Sequence, residues 1–339
     1  MRTNGSHVQH TQDRDAKLGF SGAPVAVLAA LTLTVGCGQM GELRSKKAFK
    51  EANQAYAAQD YKRSAELYEE TIQADPNLGL IGAAPYFYLG NSYDNQYKPS
   101  LKGTPENDAF LEKAVQNYQT AAEKLSASDK PEDKKLGQLS LDFLVAAYGS
   151  DKLNDPAKAE PVVQRMIQLD PSDPSNYFKL ATIYENAGAY ENAEDILLKA
   201  KEARPNDPTV YTTLAGYYNR QGEFDKTIAA LQERAEKEPN NPEAFQTLAV
   251  FYWDKAFRDA RLKESEKKDF VQKGIGAVDK GLKINPDYID ALVYKNLLLR
   301  LQANTEKDQA RQQALLREAN QLRDKAEELR KKKASGVGN

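Results

Sequence analysis

The chain has 339 residues, 40% of them apolar, and its 47 basic and 49 acidic side chains leave a formal charge of −2. That is enough apolar material for a real core, and the near-neutral balance gives no electrostatic ground for a nucleic-acid partner. Cys37 is the only cysteine and His7 and His10 are the only histidines, which excludes an internal disulfide and, after residue 37, any Ser/His/Asp, Cys/His, thiolate or imidazole chemistry. With no phosphate loop or glycine fingerprint either, the reading is of a non-enzyme without cofactor or metal.

The first element is an export or anchor segment. Residues 18–41 carry no charged side chain, and PVAVLAALTLTVGCG lies behind Arg2, Arg14 and Lys17, the order of a basic region followed by an apolar one. T-V-G-C, residues 34–37, resembles the bacterial lipobox, in which a signal peptidase cuts before a cysteine that then carries acyl chains. That resemblance implies a signal peptide over residues 1–36 and lipid attachment at Cys37. It also implies a membrane-anchored place in a bacterial cell envelope on the periplasmic side. The outer membrane is preferred because Gly38, not aspartate, follows the cysteine. Thr34 departs from the pattern, which prefers an aliphatic residue there. An uncleaved transmembrane anchor is the alternative, with Arg44, Lys46, Lys47 and Lys50 favouring a cytoplasmic C-terminal side. An ordinary cleaved signal is a third reading.

Further along, the chain repeats itself. YENAGAYENAEDILLKAKEARPNDP, residues 184–208, recurs in register as YNRQGEFDKTIAALQERAEKEPNNP, residues 218–242, with every landmark displaced by 34 residues. Leu180, Ala181 and Tyr184 fall on one helical face, and Ala193, Leu197 and Ala200 on that of a second helix. Gly188 breaks the first helix and Pro205 ends the second. Small residues at Ala181 and Ala193 let the two helices approach closely. Each repeat is therefore an antiparallel helix hairpin that must stack on its neighbours to bury its apolar faces.

These residues resemble the tetratricopeptide repeat (TPR) pattern of aromatic, Leu-Gly/Ala, Tyr, Ala, aromatic or aliphatic, Ala and Pro. Tyr177, Leu180, Ala181, Tyr184, Ala193, Leu197, Ala200 and Pro205 answer every position, while the next repeat puts Thr227 and Arg234 where Ala is usual. The resemblance implies an all-α, right-handed α-solenoid of antiparallel TPR helix pairs over residues 45–302. Weaker copies make about six to seven repeats in all, the first through Ala52, Ser64, Tyr68, Thr71 and Pro76. Insertions stand between the helices of two repeats, at residues 94–109, read as a structured loop, and 254–270, read as extending both helices. Residues 303–333 form a C-terminal capping helix whose stripe Leu315, Ala319, Leu322, Ala326 and Leu329 offers a dimerisation surface as the alternative. Residues 334–339 are a disordered tail.

The resemblance places binding in a concave groove lined by first helices, taking a partner peptide or helix. Its groove positions map to Asn53, Tyr56, Asn91, Asp94 and Asn95, and to Glu185, Asn186, Asn219, Arg220, Trp253 and Asp254. Tyr56 and Trp253 are the natural anchors. Asn53 and Asn91 match the two asparagines of a carboxylate clamp, but Phe49 and Asp142 stand where its lysines belong, so a clamp is disfavoured. Glu191 and Glu194 read as exposed solubility residues. The functional expectation is an interaction scaffold for a protein partner, of the kind that assembles envelope complexes, with an accessory subunit of an envelope enzyme as the alternative.

Overall fold

Short polar-proline sequences set where helices begin. The computed structural model describes residues 25–79 and 81–336, with side chains from residue 39 onward, and among the described residues every regular element is helical. In order these are Val25–Ala57 (α1), Tyr61–Ala74 (α2), Ala84–Asp94 (α3), Pro105–Ser126 (α4), Pro131–Ala147 (α5), Pro156–Leu169 (α6), Pro174–Asn186 (α7), Tyr190–Ala203 (α8), Pro208–Arg220 (α9), Phe224–Lys237 (α10), Pro242–Arg258 (α11), Glu264–Ile284 (α12), Ile289–Asn304 (α13) and Gln309–Ala334 (α14). Asp173, Asp207 and Asn241 each accept from the backbone N–H two residues on, at 2.9, 2.9 and 3.0 Å, and proline follows at the first helical position. The side chain satisfies one orphan donor while the proline has none to satisfy.

Three turns between paired helices share one conformation. Gly188 and Gly222 are left-handed, at φ 74° and 76°, and the next residue donates back to the Tyr184 and Tyr218 carbonyls at 2.8 and 2.9 Å. The first pair makes the same turn, with Asp60 donating to the Ala55 carbonyl at 2.9 Å, but it places Gln59 in the left-handed position at φ 60°. A side chain there strains the backbone where glycine does not.

The chain folds as two units divided inside α5, between Phe143 and Leu144. In the first, α1 packs on α2 and α3 on α4; in the second, α7 packs on α8, α9 on α10, α11 on α12 and α13 on α14, each unit being a stretch of all-α solenoid. Small buried residues hold the helices of a pair close, among them Ala52, Ser64, Ala114, Ala193 and Thr227, all at 0% exposure. At Gly90 an added Cβ would lie 2.8 Å from the Tyr118 ring and 3.2 Å from the Ala114 carbonyl oxygen.

Successive pairs are joined by tyrosines. The hydroxyls of Tyr184 and Tyr218 donate to Glu160 and Glu194 at 2.8 and 2.9 Å, and Tyr93 donates to Glu69. In all three the carboxylate stands on the second helix of the preceding pair, 24 residues earlier. Glu194 also pairs with Lys226 at 3.0 Å, so it is a tie between two helix pairs and not merely a solvated charge.

Of the inserted segments, residues 94–109 hold the 3-10 turn Pro99–Leu101 and the first turns of α4, with the Asn107 amide clasping the backbone of Lys98 at 2.8 and 3.1 Å. Within residues 254–270, α11 continues to Arg258 and α12 starts at Glu264. At the C-terminus, Ala319 and Ala326 are buried and Leu315 and Leu322 pack on the core, so α14 spends much of its apolar stripe on its own chain and completes a pair with α13. Among the described residues no helix is long and apolar enough to cross a membrane. The signal-peptide reading of residues 1–36 falls largely outside the described residues, as do the side chain of Cys37 and residues 337–339 of the expected tail.

Two substitutions test this packing by thermal melting. Ala193→Leu overfills a closed contact and should cost about 1 to 3 kcal/mol. Gln59→Gly relieves a left-handed side chain and should stabilise the first unit by about 1 kcal/mol. An unchanged melt for Ala193→Leu, or a destabilised Gln59→Gly, would refute the assignments.

Candidate interaction groove

The first helices of the pairs carry the residues that the groove pattern points to, and the two units treat them differently. In the first unit they bond to one another. Tyr68 donates to Asn53 at 2.7 Å, and Tyr56 donates to the Asn91 side-chain oxygen at 2.6 Å. Asn95 reaches the same oxygen at 2.8 Å, while the Asn91 amide meets the Tyr118 hydroxyl at 3.4 Å and that hydroxyl donates to Asp94 at 3.3 Å. Asn91 and Asp94 are only 6% and 9% exposed. Their polar atoms are committed inside the fold, since a buried amide or carboxylate is costly unless it is bonded. Tyr56 is packed as well, edge-on to Tyr61 and Tyr88 at 5.8 and 5.3 Å. Of this set Asn53 and Asn95 keep exposed positions.

Burial raises the Tyr118 hydroxyl far above the ordinary tyrosine value, and the neighbouring Asp94 charge adds to it. Burial likewise raises Tyr68, with the neighbouring tyrosines Tyr88 and Tyr56 contributing.

In the second unit none of the corresponding residues is buried. Asn186, Asn219 and Arg220 are exposed. Arg220 forms a two-point bond to Glu185 of the preceding first helix, Nε to Oε1 and Nη2 to Oε2, both at 2.8 Å. Hydrogen bonding from that guanidinium holds the Glu185 carboxyl below the usual carboxylate range. On α11, Trp253 stacks face to face on Phe257 at 5.0 Å and stands edge-on to Tyr294 of α13 at 5.9 Å. Phe257 is 57% exposed. Asp254 is paired with Arg258 at 2.5 Å.

The structure thus brings Glu185 to Arg220 and sets Trp253 in an aromatic step with two partners that the groove pattern did not single out. Phe257 was legible as the i+4 neighbour of Trp253 once α11 is extended past its usual end. Tyr294 was not, because its partner comes from another helix. Among the described residues no group of three metal-ligating side chains occurs.

Residues 152–216 match the family model described as tetratricopeptide repeat. Among solved structures, the C-terminal part of a TPR repeat-containing protein from Cytophaga hutchinsonii is 18% identical, covers 83% of this chain and 98% of its own, and has a TM-score of 0.49. A tetratricopeptide repeat protein from Parabacteroides merdae is 13% identical, covers 82% and 99%, and has a TM-score of 0.43. YrrB, described as a TPR protein with an unusual peptide-binding site, is 16% identical over 59% of this chain and 89% of its own, with a TM-score of 0.36. Likenesses at this level extend to the helical-repeat fold alone. No curated protein matches the sequence.

The tyrosine network makes the first unit sensitive to alkali. A free tyrosine titrates near 10, so above that pH the unfolded chain releases protons that buried Tyr118 keeps, and stability falls as pH rises. Denaturant midpoints for the first unit should drop between about pH 9 and about pH 11, and Tyr118→Phe should flatten that slope while lowering stability near neutrality by about 1 kcal/mol. An unaltered slope in the variant would show that Tyr118 is not the responsible group.

Proposed function

We propose that the chain, whose residues 152–216 match the tetratricopeptide repeat model, is a non-enzymatic scaffold that takes a partner peptide or helix along the first helices of its second unit. The observation that carries this reading is the aromatic step of Trp253 and Phe257, stacked at 5.0 Å with Phe257 57% exposed. A rigid aromatic pair presents a large contact area at low entropic cost, and such residues dominate binding energy at interfaces. Asn186 and Asn219 offer amide donors and acceptors for a backbone laid across them. The Glu185–Arg220 pair stiffens the surface between.

In the same proposal the scaffold is tethered to a bacterial envelope membrane through a lipid on Cys37, with its partner on the periplasmic side. The support is the uncharged run ending at the lone cysteine, together with its lipobox-like T-V-G-C. An envelope assembly factor is the role that best suits a tethered scaffold with a peptide groove.

Two measurements test the two halves. Partner capture by crosslinking and co-purification should fall at least about 30-fold in affinity for Trp253→Ala, the loss of about 2 kcal/mol expected for a central aromatic anchor; full binding by the variant removes Trp253 from the interface. Intact mass and fractionation should show the wild type trimmed before Cys37, acylated and membrane-bound, with Cys37→Ser neither acylated nor trimmed there. An intact N-terminus in both would assign residues 18–41 to an uncleaved anchor and send the partner search to the cytoplasm.

A further inference from the structure

Helix α1 has two faces of opposite character. Its inward face is closed against α2: Ser45 donates to the Thr71 carbonyl at 2.8 Å, Ala48 and Ala52 are buried, and a Cβ added at Gly41 would lie 2.6 Å from the Ala74 carbonyl oxygen. On the outward face Met40 and Leu43, three residues apart, are 70% and 67% exposed, the highest values for large apolar side chains among the described residues. The next positions outward are cationic. Arg44 and Lys47 keep 69% and 79% of their side chains exposed, although Arg44 pairs with Glu70 at 2.9 Å and Lys47 stands 3.9 Å from Glu51.

Nothing separates this face from the segment before it. Backbone helix runs unbroken from Val25 to Ala57, so the uncharged run of residues 18–41 passes directly into the first packed turn. From residue 37 to residue 41 is four residues, roughly 6 Å of helix at 1.5 Å per residue. A lipid on Cys37 would leave no slack between the bilayer and the first helix pair. Exposed apolar side chains followed within a turn by cations are the arrangement of a helix lying at a lipid interface, apolar groups at the acyl boundary and cations among anionic headgroups.

We propose that the outward face of α1 from Met40 to Lys47 is a lipid-docking surface that seats the first helix pair on an anionic bilayer; this rests on the membrane tether proposed above. The scaffold is then fixed at its first pair and not swung on a flexible leash.

The test uses the full acylated chain purified from bacterial membranes, in which acylation blocks Cys37. Leu43→Cys and, as a control, Lys62→Cys near the start of α2, the end away from Ala74, are each labelled with a nitrobenzoxadiazole fluorophore. Both are placed in vesicles of phosphatidylethanolamine and phosphatidylglycerol. Docking predicts a blue-shifted label at position 43 that iodide quenches several-fold less than the label at 62, at every protein-to-lipid ratio. Equal quenching with both proteins pelleting alongside the vesicles overturns the docking and leaves the tether standing. Shielding that appears only at high protein density assigns the face to a second copy and overturns it too. If neither protein pellets, the tether itself fails and the docking with it.

Discussion

Everything in this fold depends on how closely two helices of a pair can approach. Residues with little or no side chain beyond Cβ stand where the helices meet, and a single added methyl at Gly90 would overlap the Tyr118 ring and crowd the Ala114 carbonyl. Close approach brings dispersion contacts along the whole length of the pair, and it sets the spacing at which the next pair can dock. Substituting a larger residue there would disturb two contacts at once, because each helix also faces a neighbouring pair.

What docks the next pair is a polar contact at the edge of an apolar one. Tyr93, Tyr184 and Tyr218 bury their rings wholly or in part and each sends a hydroxyl back to a carboxylate on the preceding second helix. The ring supplies area and the hydroxyl supplies register, since a charge-assisted hydrogen bond tolerates little displacement. The same chemistry, moved to the inner surface of the first unit, changes the character of that surface. There Tyr56, Asn91, Asn95, Tyr118 and Asp94 bond to one another. In the second unit Asn186, Asn219 and Arg220 are exposed, with Arg220 paired to Glu185. The aromatic step at Trp253 lies on that open side, which is why the proposed partner site belongs to the second unit.

How far these features could be read beforehand depends on whether their cause is local. The 34-residue register, the turn glycines and the prolines that end each repeat act through a residue's own backbone, so the helix hairpins of residues 174–242 were visible in the letters. Asn91 and Asp94 were legible as inner-surface positions, but not as buried ones. Their fate is set by Tyr56 and Tyr118, which come from helices 35 and 24 residues away in sequence. Likewise the stripe on α14 was plain as a period, and only packing assigns it largely to the chain's own core.

By itself, then, the sequence determined the repeat, its helix pairs, the turns between them and the absence of cysteine and histidine after residue 37, because period, backbone preference and composition are properties of the letters alone. Only the tertiary structure decided which inner-surface side chains remain free to meet a partner, how Glu194 joins two pairs, and which face of α1 is left uncovered. Those outcomes turn on hydrogen bonds and contacts between side chains brought together from different helices, and no local pattern records which of two polar groups will reach the other first.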